Sequence, residues 1–169
     1  MKNTTERFTR VYNILLEAYF NGTLAAGNCA ACAVNNIICN YKGIQITKEI
    51  ANYIDNKGTH PSKYYPIVWM DVFGMGEIYE NLPYTNTAKK DLERLLPYTV
   101  KELALIERTF EKNCKIKVWR YEEFSEQEIL EDQFNGLSAV VDVLLELDNI
   151  TPDISYNNKF KEHPKLQLV

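Results

Sequence analysis

The sequence predicts a mainly α protein: about six helices in one compact bundle-like domain over residues 1–150, interrupted by a long irregular aromatic connector and followed by a tail over 151–169. Three observations lead there. Apolar residues recur at spacings of three and four in most of the regular segments, two segments open on capping boxes, and no run alternates long enough to supply a sheet with partners. The length of 169 residues suits one domain with its own core.

The first helix spans about 5–20, where Phe8, Val11, Tyr12, Leu15, Ala18 and Tyr19 share a face, Asn3 and Thr4 are cap candidates and Gly22 is the stop. Gly27-Asn28 then breaks the chain, and Asn28 is the expected N-cap of a short second helix over Cys29–Cys39, a segment rich in small residues. A third begins at Thr47, with Ile50, Ala51 and Ile54 on one face and Gly58 past its end. Residues 59–86 hold three prolines, four tyrosines, Trp69 and Phe73, and read as a connector whose aromatics cover the core or a partner. A fourth helix over Ala88–Leu96 ends before Pro97, since the residue preceding proline is pushed out of the helical region. The fifth opens on the capping box Thr99-Val100-Lys101-Glu102 and carries Leu103, Ile106 and Phe110 inward. Residues 115–121 read as a short strand or an extended link.

The sixth helix opens on a second box, Ser125-Glu126-Gln127-Glu128, and its stripe of Ile129, Leu130, Phe134, Leu137, Val141, Leu144 and Leu145 carries it to about Leu147. Gly136 inside it costs roughly 1 kcal/mol against alanine, so either a neighbour comes very close there or the helix bends. The tail is polar and turn-like until Leu166-Gln167-Leu168-Val169; it either folds back on the domain or acts as a docking arm, with Leu166 and Leu168 its apolar contacts.

Composition narrows the functional classes. Hydrophobic residues make up 46% and charged residues 25%, which excludes disordered and membrane-spanning classes, and no apolar run is long enough for a bilayer. The N-terminus goes directly into charged residues without a secretory apolar stretch, so a cytoplasmic location is expected. A formal net charge of -4 argues against a general nucleic-acid binder. Lys112, Lys115, Lys117 and Arg120 beside Trp119 and Tyr121 resemble a single-strand platform only locally. His60 and His163 are the only histidines, too few and too badly placed for a histidine triad, and Gly74-Met75-Gly76 lacks the context of a phosphate loop.

Two features carry chemistry. Cys29-Ala30-Ala31-Cys32 at an expected helix start is the spacing of a redox dithiol or half a metal site, and a helix N-terminus lowers a thiol's pKa. The second half of a zinc site is missing, and so is the strand that precedes a thioredoxin-like pair. The competing reading takes the small residues from Ala25 to Ala33 as a tight packing seam with buried free cysteines. The other feature is charge: Glu122 to Asp148 holds nine acidic residues and no Lys or Arg. It is either a solvated helix face or a surface that meets a basic one, on another protein or on a second copy of the chain.

The runs Asn21-Gly22-Thr23-Leu24, Gly27-Asn28-Cys29-Ala30-Ala31-Cys32-Ala33-Val34, Glu102-Leu103-Ala104 and Asp132-Gln133-Phe134-Asn135-Gly136-Leu137 resemble small uncharacterised proteins of Bacteroidetes phages and their hosts. The resemblance covers most of the chain, implies a phage-encoded virion or neck component, and carries no functional residue with it. The sequence is therefore read as a non-enzymatic assembly protein, with no cofactor and no small-molecule substrate. Its partners are protein subunits, itself included, and its contacts are Glu128, Glu131, Asp132, Trp69, Phe73, Leu166 and Leu168. The alternative is a thiol or metal protein using Cys29 and Cys32.

Overall fold

A computed structural model describes residues 4–28, 30–51, 90 and 93–151. Cys29, the aromatic connector with Trp69 and Phe73, and the tail with Leu166 and Leu168 lie outside the described residues, as do His60 and His163.

Five α-helices are described: α1 (Thr4–Asn21), α2 (Ala33–Lys42), α3 (Lys48–Ala51), α4 (Val100–Asn113) and α5 (Glu126–Leu147). One 3-10 helix, η1 (Val118–Glu123), lies between α4 and α5, and no strand occurs among the described residues. The mainly α class therefore stands. The expected helix over 88–96 is seen only at Lys90 and at 93–95, which stop ahead of Pro97. Residues 115–121 form neither a strand nor a plain link, because their second half closes into η1.

Local chemistry sets the ends. In α4 the Thr99 Oγ1 accepts the N–H of Glu102, whose carboxylate accepts the N–H of Thr99 at 2.6 Å. In α5 Ser125 and Glu128 make the same reciprocal pair. α1 and α2 each end in a left-handed glycine, Gly22 and Gly43, whose following N–H reaches back five residues, Thr23 to Ala18 and Ile44 to Cys39. α5 ends the same way, with Asn149 taking the left-handed turn and the N–H of Ile150 donating to the Leu145 carbonyl at 2.9 Å.

The start of α2 corrects the sequence reading. The helix begins at Ala33 rather than at Cys29, and its N-cap is Cys32, whose Sγ accepts the N–H of Asn35 at 3.4 Å. Asn28 is spent earlier: its Oδ1 accepts the N–H of Ala30 and its Nδ2 donates to the Ala51 carbonyl, closing a turn before the helix. The small residues therefore line a buried loop, with Ala25, Ala26, Ala30 and Ala31 no more than 1% exposed. Because loop backbone cannot be buried without partners, Ala25 N–H donates to the Ala31 carbonyl and Val118 N–H to the Ala26 carbonyl. The N–H of Gly27 donates to the Glu111 carboxylate at 2.9 Å.

The four longer helices pack in a cycle, α1 on α2, α2 on α4, α4 on α5 and α5 on α1, with α4 and α5 the most extensively joined. The core between them holds Phe8, Leu15, Ile37, Tyr98, Leu103, Ile106, Phe110, Leu137 and Leu144, each 1% exposed or less. Burying a leucine or phenylalanine of this kind contributes about 1.5–3 kcal/mol, so this apolar face, rather than helix propensity, holds the fold. The close approach anticipated at Gly136 is present: a Cβ there would fall on Cys114 Sγ and within 3.0 Å of Phe110 Cδ2. At the opposite end of the pair, Tyr98 Oη donates to Asp148 at 2.7 Å, and Asp148 also takes the guanidinium of Arg7. Since Phe110 meets the first half of α5 and Tyr98 its end, α4 and α5 run antiparallel.

Candidate functional site

Two places concentrate chemistry: a buried cluster at the start of α2, and the outward faces of α4 and α5.

In the cluster, the Glu107 carboxylate accepts the N–H of Val34 at 3.0 Å, at the free N-terminus of α2, and takes a hydrogen bond from the Cys32 thiol. Glu107 is 7% exposed, and burial pushes its carboxyl up to about 7; Glu111 nearby adds to this, while Val34, Cys32 and Lys117 oppose it. Cys32 is 1% exposed, and its thiol lies well above the usual range, first through burial and then through the Glu107 charge. A cap position alone would lower a thiol's pKa, but here burial and then the adjoining Glu107 carboxylate raise it. Cys114 is likewise buried and its thiol raised, by burial and by Asp132. Cys32 is thus a buried thiol bonded to Glu107, and Cys29, the member of the pair expected at the helix start, lies outside the described residues. Among the described residues no group of three or more His, Cys, Asp or Glu is placed to hold a metal ion.

Helix faces decide which charges reach solvent. On α5 the exposed positions from Glu128 onward are Glu128, Glu131, Asn135, Asp142 and Glu146, spaced as one stripe, and four of the five are acidic. Glu128 caps the helix, which holds its carboxyl below the usual range, and Glu131 accepts from Gln127 Nε2 at 2.9 Å. Glu131 also faces Tyr19, whose hydroxyl is pushed up to about 12 by burial and by that charge. Asp132 does not belong to the stripe. It is 9% exposed and its two carboxylate oxygens accept the N–H groups of Lys115 and Ile116, at 2.9 and 2.8 Å, so it ties down the link after α4. Gln133 is buried beside it, donating to Tyr121 Oη at 2.8 Å. The chain crossing this part of α5 turns the buried face toward 132 and 133 and leaves Ile129, Leu130 and Phe134 only partly covered.

Of the four cations at 112–120 that only locally resemble a single-strand platform, two are paired within the chain. Lys117 donates to the Glu111 carboxylate at 2.7 Å, Arg120 pairs with Glu123 at 2.7 Å, and Tyr121 turns inward to Gln133. Trp119 remains 59% exposed, lying over the backbone of Gly27, where a Cβ would strike its ring.

What the sequence reading passed over is α4. Its exposed positions are Lys101, Leu105, Arg108, Lys112 and Asn113, and Lys115 follows just beyond. Lys101, Arg108 and Lys112 make no ion pair among the described residues, and Leu105 is 41% exposed between them. The signal was available as the spacing 101, 105, 108 and 112, the complement of the Leu103, Ile106 and Phe110 face. A polar cleft of about 450 Å³ between α1, α2 and α3, lined by Asn21, Asn36, Asn40 and Lys48 among others, holds no cluster of reactive groups.

No family model matches the chain, and no curated protein and no solved structure matches it. No helix among the described residues is long and apolar enough to cross a membrane.

Proposed function

We propose that this chain is a non-enzymatic interaction protein that assembles with other protein subunits through the outer face of α5. One observation carries the reading: the helix turns Glu128, Glu131, Asp142 and Glu146 to solvent along one stripe, in a segment with no Lys or Arg to neutralise them. Such a stripe repels acidic surfaces, nucleic acid included, and selects a basic protein surface. The burial of Cys32 and its bond to Glu107 favour this over a thiol or metal function. The resemblance to small phage proteins adds, within this reading, a repeated subunit of the virion neck or connector as the setting.

The test is site-specific photo-cross-linking in cells that encode the protein. A photoreactive residue replacing Glu131 or Asp142 is expected to give covalent protein adducts, and one replacing Thr9 on the exposed side of α1 is not. Failure to form adducts at both α5 positions, or equal adducts from Thr9, overturns the reading.

A further inference from the structure

Resting on that reading, we infer that the basic surface met by α5 is α4 of a second copy of the chain, and that the two copies close as a two-fold dimer with α4 of each against α5 of the other. Charge complementarity is the first argument. Lys101, Arg108 and Lys112 line the outward side of α4, Glu131, Asp142 and Glu146 that of α5, and each stripe is of a single sign. Surfaces of opposite sign held by one molecule attract between copies.

Position in the fold is the second argument. α2 packs on α4 and α1 on α5, so the described helices back this pair on one side and leave its other side open. The two stripes are therefore neighbours on a side that the described helices leave open, rather than on opposite ends of the bundle. A rotation by half a turn about an axis parallel to the two helices exchanges left and right, and it leaves every residue at its own height. The basic stripe of one copy then faces the acidic stripe of the other, twice over.

Register is the third argument. The contacts of Phe110 with Gly136 and of Tyr98 with Asp148 fix the heights of the antiparallel pair. Lys101 stands level with Asp142 and Glu146, and Lys112 with Glu131. Because the rotation preserves height, Lys101 and Lys112 of one copy meet carboxylates of the other, while Arg108 is level with Ser138, between Glu131 and Asp142. Leu105, 41% exposed in the middle of the basic stripe, supplies an apolar contact at the centre of the joint, where truncation usually costs most.

The experiment is light scattering and native mass spectrometry of the full chain with two charge-reversed variants, Lys101→Glu/Arg108→Glu/Lys112→Glu and Glu131→Lys/Asp142→Lys/Glu146→Lys. The wild type is expected as a species of twice 19.6 kDa at low salt. Its dissociation constant should rise at least about tenfold between about 20 and about 500 mM salt, as screening shortens the reach of exposed charges. Each variant alone should be monomeric, and an equimolar mixture should restore a dimer holding one of each, since reversal on α4 of one matches reversal on α5 of the other.

Circular dichroism establishes that the variants keep their helices. Should either lose them, the neutral set Lys101→Gln/Arg108→Gln/Lys112→Gln and the salt response of the wild type carry the test. A wild type that stays monomeric, a mixture that does not re-form the dimer, or an open series of larger species overturns the two-fold arrangement. If α5 cross-links to a different protein while the wild type stays monomeric, the second copy is the wrong partner and the α5 contact stands. If α5 cross-links to nothing, both fail.

Discussion

Glu107 makes stability depend on pH in a direction opposite to that of most carboxylates. Its carboxyl titrates at about 7 in the folded chain, against 4.5 when unfolded. Within that window the folded state holds more protons than the unfolded state, so stability falls as pH rises. The contribution is fully present below 4.5, declines through the window and levels off above about 7. The whole shift corresponds to about 3 kcal/mol at 1.36 kcal/mol per unit, of which about 2.5 kcal/mol falls between about pH 5 and about pH 8. The groups facing the carboxylate are the Val34 N–H and Cys32 thiol at the start of α2, Glu111 one turn along α4, and Lys117 on the link to η1. Glu107→Gln keeps an acceptor for Val34 and removes the buried charge. Urea unfolding followed by far-ultraviolet circular dichroism, at several pH values from about 5 to about 8, measures both proteins. Taking their difference cancels the histidines and other groups that the two share. The variant is expected to match the wild type near pH 5 within about 1 kcal/mol and to exceed it by about 2 kcal/mol or more at pH 8. A difference that stays flat across the range would refute the assignment of Glu107 as the buried, protonated group.

Two further predictions probe the joints of the bundle. Gly136→Ala puts a methyl group on Cys114 Sγ and Phe110, so unfolding free energy should drop by about 1–3 kcal/mol despite the better helix propensity of alanine. Combining it with Cys114→Ala should cost less than the sum of the two single changes, and additive costs in a double-mutant cycle would contradict the contact. Asp148→Asn leaves the Arg7 guanidinium with only the Glu102 carboxylate, 4.0 Å away, as a charge partner and weakens the Tyr98 bond at a site 2% exposed, which should cost about 3 kcal/mol in thermal or chemical unfolding. Arg120→Gln, which breaks an exposed pair with Glu123, is the control and should leave the unfolding curve unchanged; equal losses from both would show that burial is not what gives the Asp148 pair its weight.

Where the sequence could be read and where it could not follows from the range of the forces involved. Both capping boxes, the stop at Gly22, the extent of α5 to Leu147 and the close contact at Gly136 were legible, because each depends on residues within one or two turns or on a glycine that only packing explains. The start of α2 was not, since Asn28 and Cys32 are both competent caps. What decides between them is the Ala51 carbonyl, 23 residues away, which engages Asn28 and frees Cys32 for the helix. Asp132 was misassigned to the surface for the same reason. Its charge suits the acidic stripe, but two backbone donors at 115 and 116 needed an acceptor, and no local pattern announces that need. The thiol chemistry of Cys32 turned on Glu107, 75 positions along the chain and on another helix.

These long-range bonds share a design that bears on function. Asp132, Glu107, Glu111 and Asp148 are all acidic, and all are engaged within the chain: at the link after α4, at the start of α2, at Gly27 and at Arg7. The first three close a helix end or a buried loop whose N–H groups would otherwise be left without acceptors, and Asp148 takes the Arg7 guanidinium and the Tyr98 hydroxyl. The acidic residues that remain on the outer face of α5 cap or tether nothing beyond Glu128 and Glu131 in their own helix. Asp142 and Glu146 thus bring charge to the surface with no structural task among the described residues, directly beside a helix whose surface cations are equally unpaired. A fold that uses three of its acids to satisfy its own backbone and a fourth to hold Arg7 and Tyr98, and leaves these exposed on one line, has a surface free to be satisfied from outside. The neighbouring line of lysine and arginine around Leu105 is the chemistry that would do it.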